Sequence, residues 1–105
     1  MYKKDATEFE RKVYEICSKI PKGKVTSYKE IAHSMGNKAY RAVGTALHNN
    51  PFAPRVPCHR VVNSDGRLGG FASGLKKKIE ILKSEGVIVE KGKIKDFERK
   101  LFIIG

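Results

Sequence analysis

A helix opens at Ser27-Tyr28-Lys29-Glu30 and is stopped by Gly36, which leaves it about two turns long. Asn37 can cap a further helix over roughly 38–48, and two short helices joined by a Gly-containing turn are the outline of a helix-turn-helix. Thr7-Glu8-Phe9-Glu10 reads as a capping box, and behind it Phe9, Val13, Ile16, Cys17 and Ile20 fall on one face at i, i+4, i+7, i+8 and i+11. Pro21-Lys22-Gly23 ends that helix, and Cys17 on its apolar face is expected to pack as a small hydrophobe.

The helix expected over 38–48 is rich in small residues, among them Ala39, Ala42, Gly44 and Ala46. Such a helix suits close packing in a core, and equally a close approach to another backbone such as a DNA groove; Arg41 on it adds weight to the second reading. Asn49-Asn50-Pro51-Phe52-Ala53-Pro54 must be a loop, since its prolines exclude a helix. After it, Val61-Val62 suggests a short extended piece and Asn63-Ser64-Asp65-Gly66 a turn. Gly69-Gly70-Phe71-Ala72-Ser73-Gly74 is glycine-rich, but no Gly-Lys-Ser/Thr follows, so it reads as a pocket wall rather than a phosphate loop. The last clear helix carries Leu75, Ile79 and Leu82 on one face and stops near Gly86. Val87-Ile88-Val89 and Lys93-Ile94 then flank Glu90-Lys91-Gly92 as a hairpin, and the tail docks through Phe97, Leu101, Phe102 and Ile103. The expected fold is mainly α with a short C-terminal β-hairpin: one winged helix-turn-helix-like domain over 1–105, with no separate N-terminal domain.

Twenty-two Lys and Arg against eleven Asp and Glu give a net charge of +11 on 105 residues, a balance that favours a polyanionic partner. The same charge would suit a solvated surface in a hot or salty habitat. No apolar run approaches the roughly 20 residues needed to span a bilayer, and no basic helix carries a broad aromatic face, so no membrane partner is expected. The N-terminus lacks an apolar signal core, and the two cysteines do not resemble a disulfide framework. A cytoplasmic protein is the simplest expectation.

Pro57-Cys58-His59-Arg60 sets a nucleophile beside a base. Only the thiolate attacks well; His59 could take the proton, and Arg60 and the basic surroundings favour the anion. A relay would also need a third group to orient His59, and an acidic residue is the natural candidate, although spacing alone does not select it. No metal is expected, since Cys58 and His59 lack ligand-spaced partners and His33 and His48 bear no ligand spacing to them.

Pro57-Cys58-His59-Arg60-Val61-Val62, preceded by Arg41-Ala42-Val43-Gly44 and Asn50-Pro51, resembles the methylated-DNA–protein-cysteine methyltransferases, the O6-alkylguanine-DNA alkyltransferases. Val25-Thr26-Ser27-Tyr28, Gly69-Gly70-Phe71 and Glu85-Gly86 fall at the same family's spacings, so the resemblance runs from about Phe9 to Ile94. It implies that Cys58 takes the alkyl group from guanine O6 in one irreversible transfer, with O4-alkylthymine as a further substrate class. It implies that His59 deprotonates Cys58 through a water, that Glu85 orients His59, and that Asn50 hydrogen-bonds the turn carrying the site. Arg41 matches the finger that replaces the flipped nucleotide. Tyr28 matches the residue that helps rotate the target phosphate and gives the leaving guanine a proton. Ala42 and Gly44 would let their helix approach the minor groove, with Ser27 and Arg60 among the DNA contacts. Val61, Phe71, Ala72 and Ser73 match the base pocket. The implied partner is double-stranded DNA containing O6-alkylguanine, bound by a monomer without a cofactor.

Three departures from the family pattern stand out. Many relatives carry an additional N-terminal domain, Tyr40 is bulkier than the usual residue before the arginine finger, and Ala72-Ser73-Gly74 differs from the commoner loop. Two alternatives remain. One is a non-catalytic alkyltransferase-like protein that binds alkylated guanine and signals to another repair pathway; such relatives often replace the acceptor cysteine with tryptophan, and Cys58 argues against that reading. The other is a winged-helix DNA binder whose Pro57–Arg60 turn is purely structural.

Overall fold

The computed structural model describes residues 7–49, 56–68 and 74–104. The first helix, α1 (Glu8–Cys17), starts where the sequence places it: Thr7 Oγ1 accepts from Glu10 N at 3.1 Å, and Thr7 N donates to Glu10 Oε1 at 2.9 Å. Helix α2 (Tyr28–Ser34) is capped by Ser27, whose Oγ accepts from Glu30 N at 2.9 Å. It ends in a Schellman turn: Gly36 sits at φ +77°, Gly36 N donates to His33 O, and Asn37 N donates to Ala32 O.

That turn corrects the expected start of the next helix. Asn37 is engaged in closing α2, and its Oδ1 accepts from Ala39 N at 2.9 Å as a local turn. Helix α3 therefore runs over Tyr40–His48, with Ala39 at its N-cap and no side-chain cap.

A two-rung parallel ladder links the halves of the chain. Strand β1 (Thr26–Ser27) leads directly into α2, and β2 (Val61–Val62) pairs with it as Thr26↔Val61 and Ser27↔Val62. Adjacent strand residues face opposite ways. Accordingly Val61 joins a core formed by Val13, Tyr14, Cys17, Ile31, Ala32, Val43, Ala46 and Leu47. Val62 joins a second core with Val25, Leu68, Leu82, Val87 and Ile94. Each fully buried valine contributes roughly 1.5–3 kcal/mol. Tyr14 was not among the core residues expected from periodicity; its hydroxyl donates to Ala46 O at 2.9 Å and ties α1 to α3.

Helix α4 (Leu75–Ser84) turns a different face inward from the one its apolar residues suggest. Leu75 and Ile79 are exposed, while Lys78 and Leu82 are fully buried. Strands β3 (Val89–Glu90) and β4 (Lys93–Ile94) form the expected antiparallel hairpin, or wing. Lys91 at φ +51° and Gly92 at φ +78° are its two turn residues, both left-handed, as a hairpin matched to strand twist requires. The hairpin is tied to the 66–68 segment by Ile94 N to Gly66 O at 2.9 Å and by the Arg67↔Lys93 bridge. Gly66 itself closes the Asn63–Gly66 turn at φ +88°, where a Cβ would lie 3.1 Å from the Phe97 ring.

A short helix, α5 (Phe97–Lys100), precedes the tail. The tail docks by backbone as well as by side chains: Val25 N donates to Lys100 O at 2.9 Å, and Phe102 N donates to Val25 O at 2.7 Å. Phe102 and Ile104 pack on the first core, whereas Ile103 is exposed, one residue out of phase with the expectation.

Candidate active site and nucleic-acid interface

Pro57 opens a single 3-10 turn, Cys58–Arg60, that leads into β2. Arg60 N donates to Pro57 O at 2.9 Å and Cys58 N to Val56 O at 2.8 Å. With three residues per turn, successive side chains diverge by about 120° instead of alternating, so neighbours in sequence reach different partners around one centre. Cys58 is buried against the first core, at 7% exposure.

His59 Nε2 lies 3.1 Å from both carboxylate oxygens of Glu85. Glu85 is the C-cap of α4, fixed there by Gly86 at φ +86° and by the bonds Gly86 N to Lys83 O and Val87 N to Leu82 O. Arg60 grips the same carboxylate with two prongs, Nε to Oε1 at 2.9 Å and Nη2 to Oε2 at 2.6 Å. Its third contact runs from Nη1 to Ile20 O at 2.8 Å, beyond the end of α1. Arg60, expected at the DNA surface, thus has its side chain turned inward and is 16% exposed.

Charge follows from this geometry. Burial raises the Glu85 carboxyl, but the hydrogen bonds from Arg60 and His59 outweigh it and hold its pKa below the ordinary value. An ionised Glu85 only accepts, so His59 Nε2 carries the hydrogen and Nδ1 keeps a lone pair. Burial lowers the His59 pKa more than Glu85 raises it, and Arg60 and Lys78 lower it further. His59 is therefore a neutral imidazole at neutral pH, with one nitrogen free to take a proton.

Lys78 is the residue that sequence reading missed. Its Nζ donates to Val61 O at 2.8 Å and Leu68 O at 2.6 Å, bracing both ends of the segment that follows the Cys58 turn. Burial pulls its pKa down from 10.5 to about 8. Lys78, Leu82 and Glu85 stand at i, i+4 and i+7 on one face of α4 and its cap, and that spacing is the signal that could have found it. Within Lys76-Lys77-Lys78 it looks like a solvated charge run.

The expected DNA side forms an open groove of about 580 Å³, lined by Tyr28, Lys29, Tyr40, Arg41, Gly44, Asn63, Ser64 and Asp65. Arg41, Ala42 and Tyr40 are exposed on α3. Gly44 faces the Tyr28 ring, where a Cβ would sit in ordinary contact at 3.9 Å from Tyr28 Cδ1 and Cε1. Burial, and then the negative charge of a Cys58 thiolate, push the Tyr28 hydroxyl up to about 12, so it stays protonated at neutral pH. Ser27 is buried and occupied as the α2 cap. Val61 is buried beside the turn. Asn50, Phe71, Ala72 and Ser73 lie outside the described residues. Among the described residues no group of three His, Cys, Asp or Glu is placed to hold a metal ion. Among them, too, no helix is long and apolar enough to cross a membrane.

Residues 8–87 match the family described as 6-O-methylguanine DNA methyltransferase, DNA binding domain. The chain belongs to that DNA repair alkyltransferase family. It is 50% identical over 82 residues to the methylated-DNA–protein-cysteine methyltransferase of Methanosarcina barkeri, covering 77% of this chain and 52% of that one. In general it spans about half the length of the curated relatives it matches first. Among solved structures, the Mycobacterium tuberculosis OGT in complex with DNA superposes with a TM-score of 0.74 at 42% identity, over 76% of this chain and 50% of that one. The S. pombe Atl1 in complex with damaged DNA containing O6-carboxymethylguanine gives 0.80 at 33% identity, over 90% and 94% of the two chains. These alkyltransferase-family matches bear out the winged helix-turn-helix-like fold expected from the capping and turn signals.

Proposed function

We propose that this alkyltransferase-family chain repairs O6-alkylguanine in double-stranded DNA by transferring the alkyl group irreversibly to Cys58. The observation that carries the reading is the convergence of a buried thiol, a neutral His59 held by an ionised Glu85, and a protonated Tyr28 at the edge of a basic groove. His59 Nδ1 takes the thiol proton through a bridging water. Cys58 Sγ then forms a bond to the alkyl carbon as the carbon–O6 bond breaks, and the guanine anion leaves with a proton from Tyr28. The thiol becomes a thioether, so each molecule acts once and needs no cofactor.

A thiolate cannot reach a stacked base, so the target must be flipped, at a cost of a few kcal/mol. Phosphate contacts from the basic groove face offset that cost without reading sequence. Arg41 on the exposed side of α3 is positioned to fill the vacated place in the stack, with Ala42 and Gly44 allowing a close approach to the minor groove.

A second reading is a non-catalytic lesion binder. Its support is the match to Atl1, which covers nearly all of both chains. Mass spectrometry after mixing the protein with a duplex containing O6-methylguanine separates the two. One added methyl on the Cys58 peptide, with guanine restored, is the outcome expected here. Tight lesion binding by an unmodified protein would establish the second reading. Cys58→Ala is expected to abolish transfer while DNA binding persists.

A further inference from the structure

We infer that Arg60 is a positioning residue of the transfer reaction, fixing the Glu85 carboxylate and keeping His59 a neutral base, and is not a DNA contact. The inference rests on the proposed role of His59 as base for Cys58.

Three of the guanidinium's N–H groups are spent inside the protein, two on Glu85 and one on Ile20 O. A planar fork matches a carboxylate in two places at once, which a lysine cannot do. The carboxylate plane is thereby set relative to the turn that carries both His59 and Arg60. Both carboxylate oxygens then stand equally far from His59 Nε2, at 3.1 Å. The anchor on Ile20 O ties the pair to the end of α1, so that the 3-10 turn, the α4 cap and the α1 terminus meet on one side chain.

A carboxylate this close would by itself favour the imidazolium, which cannot accept a proton. Burial supplies most of the opposition, and Arg60 adds a compensating positive charge against the same carboxylate. Among the described residues, the charged groups that act on His59 are Glu85, Arg60 and Lys78, with Cys58 its neighbour on the turn. Arg60 is the one among them that both holds Glu85 and opposes its pull.

The test is a pH titration of the His59 imidazole by NMR in the wild-type chain, Arg60→Gln and Arg60→Lys, with exposed His33 and His48 as internal references. The transfer rate to free O6-benzylguanine is followed over the same pH range. Loss of the cation in Arg60→Gln is expected to move the His59 midpoint to higher pH and to carry the acid limb of the rate profile with it. Arg60→Lys, which keeps a cation but not the fork, is expected to move both in the same direction by less, and it bears the test if Arg60→Gln does not fold. Affinity for undamaged duplex is expected to stay at the wild-type value in either folded variant. A His59 midpoint that stays put, or a rate lowered equally at every pH, overturns the role. So does a loss of DNA affinity with a shallower salt dependence. A wild-type protein that leaves an O6-methylguanine duplex unrepaired and Cys58 unmodified instead defeats the reading of Cys58, and the positioning role with it, whatever the His59 titration shows.

Discussion

A partly buried tyrosine and a fully buried lysine carry most of the chemistry's consequences at the residue scale. Tyr28→Phe keeps the ring against Gly44 but removes the proton donor. Transfer is expected to fall by about 100-fold with DNA affinity retained, as single-turnover kinetics and a binding isotherm on one duplex would register. Lys78 makes a prediction about stability. Folded, it loses its proton near pH 8 instead of at its ordinary 10.5. Between those values the unfolded chain holds more protons, so this group's contribution to stability climbs as pH rises. At neutral pH its charged burial costs roughly 3 kcal/mol. Cys17 and Tyr28, whose pKa values are raised by burial, act the opposite way above about pH 9. The informative quantity is therefore the difference between wild type and Lys78→Met in urea unfolding at pH 7.5 and 9.5, expected to swing toward wild type at the higher pH. Cys58, His59 and Glu85 were legible in the sequence because the family pattern fixes their spacing. Lys78 and Tyr14 were not: each is a polar-ended side chain whose partner is a backbone carbonyl, and a carbonyl leaves no mark in the sequence.

Elements were legible wherever a local signal ended them. The Thr7–Glu10 capping box, the Ser27 cap, the Gly36 stop and the hairpin turn lie where the residues place them, because each is satisfied within a few positions along the chain; at Ser27 only the cap half of the expected box forms, with Ser27 Oγ accepting from Glu30 N. The parallel β1–β2 ladder has no such signal, since its two-residue strands are defined only by each other. The face of α4 was misread for a related reason: its burial is set by what β2 and the 66–68 segment require, and they require an ammonium donor. On α3, Arg41→Ala is expected to weaken transfer from duplex DNA while leaving the reaction with free O6-benzylguanine intact; equal loss on both would make Arg41 structural. In the turn ahead of the wing, Gly66→Ala meets both a positive φ and the Phe97 ring. A loss of about 1–3 kcal/mol is expected, read from the shift in thermal unfolding midpoint.

For the whole molecule, the DNA binding proposed above should be dominated by phosphate neutralisation, given a net charge of +11. Affinity for DNA should fall linearly in log–log form with salt, and Lys29→Ala, which removes an exposed cation lining the groove, should reduce that slope by about 1. The two cores meet at β2, where Val61 and Val62 face opposite sides, so the Cys58 turn is held by packing from both. The tail adds a different kind of protection. By pairing through Val25, Lys100 and Phe102, it lays backbone along the outer edge of the strand that leads into α2. A chain clipped before Lys100 would bare both the amide and the carbonyl of Val25 beside apolar side chains, a template on which a second clipped chain can add its own strand. Proteolytic trimming of these few residues should therefore appear first as concentration-dependent aggregation, before any loss of the Cys58 centre.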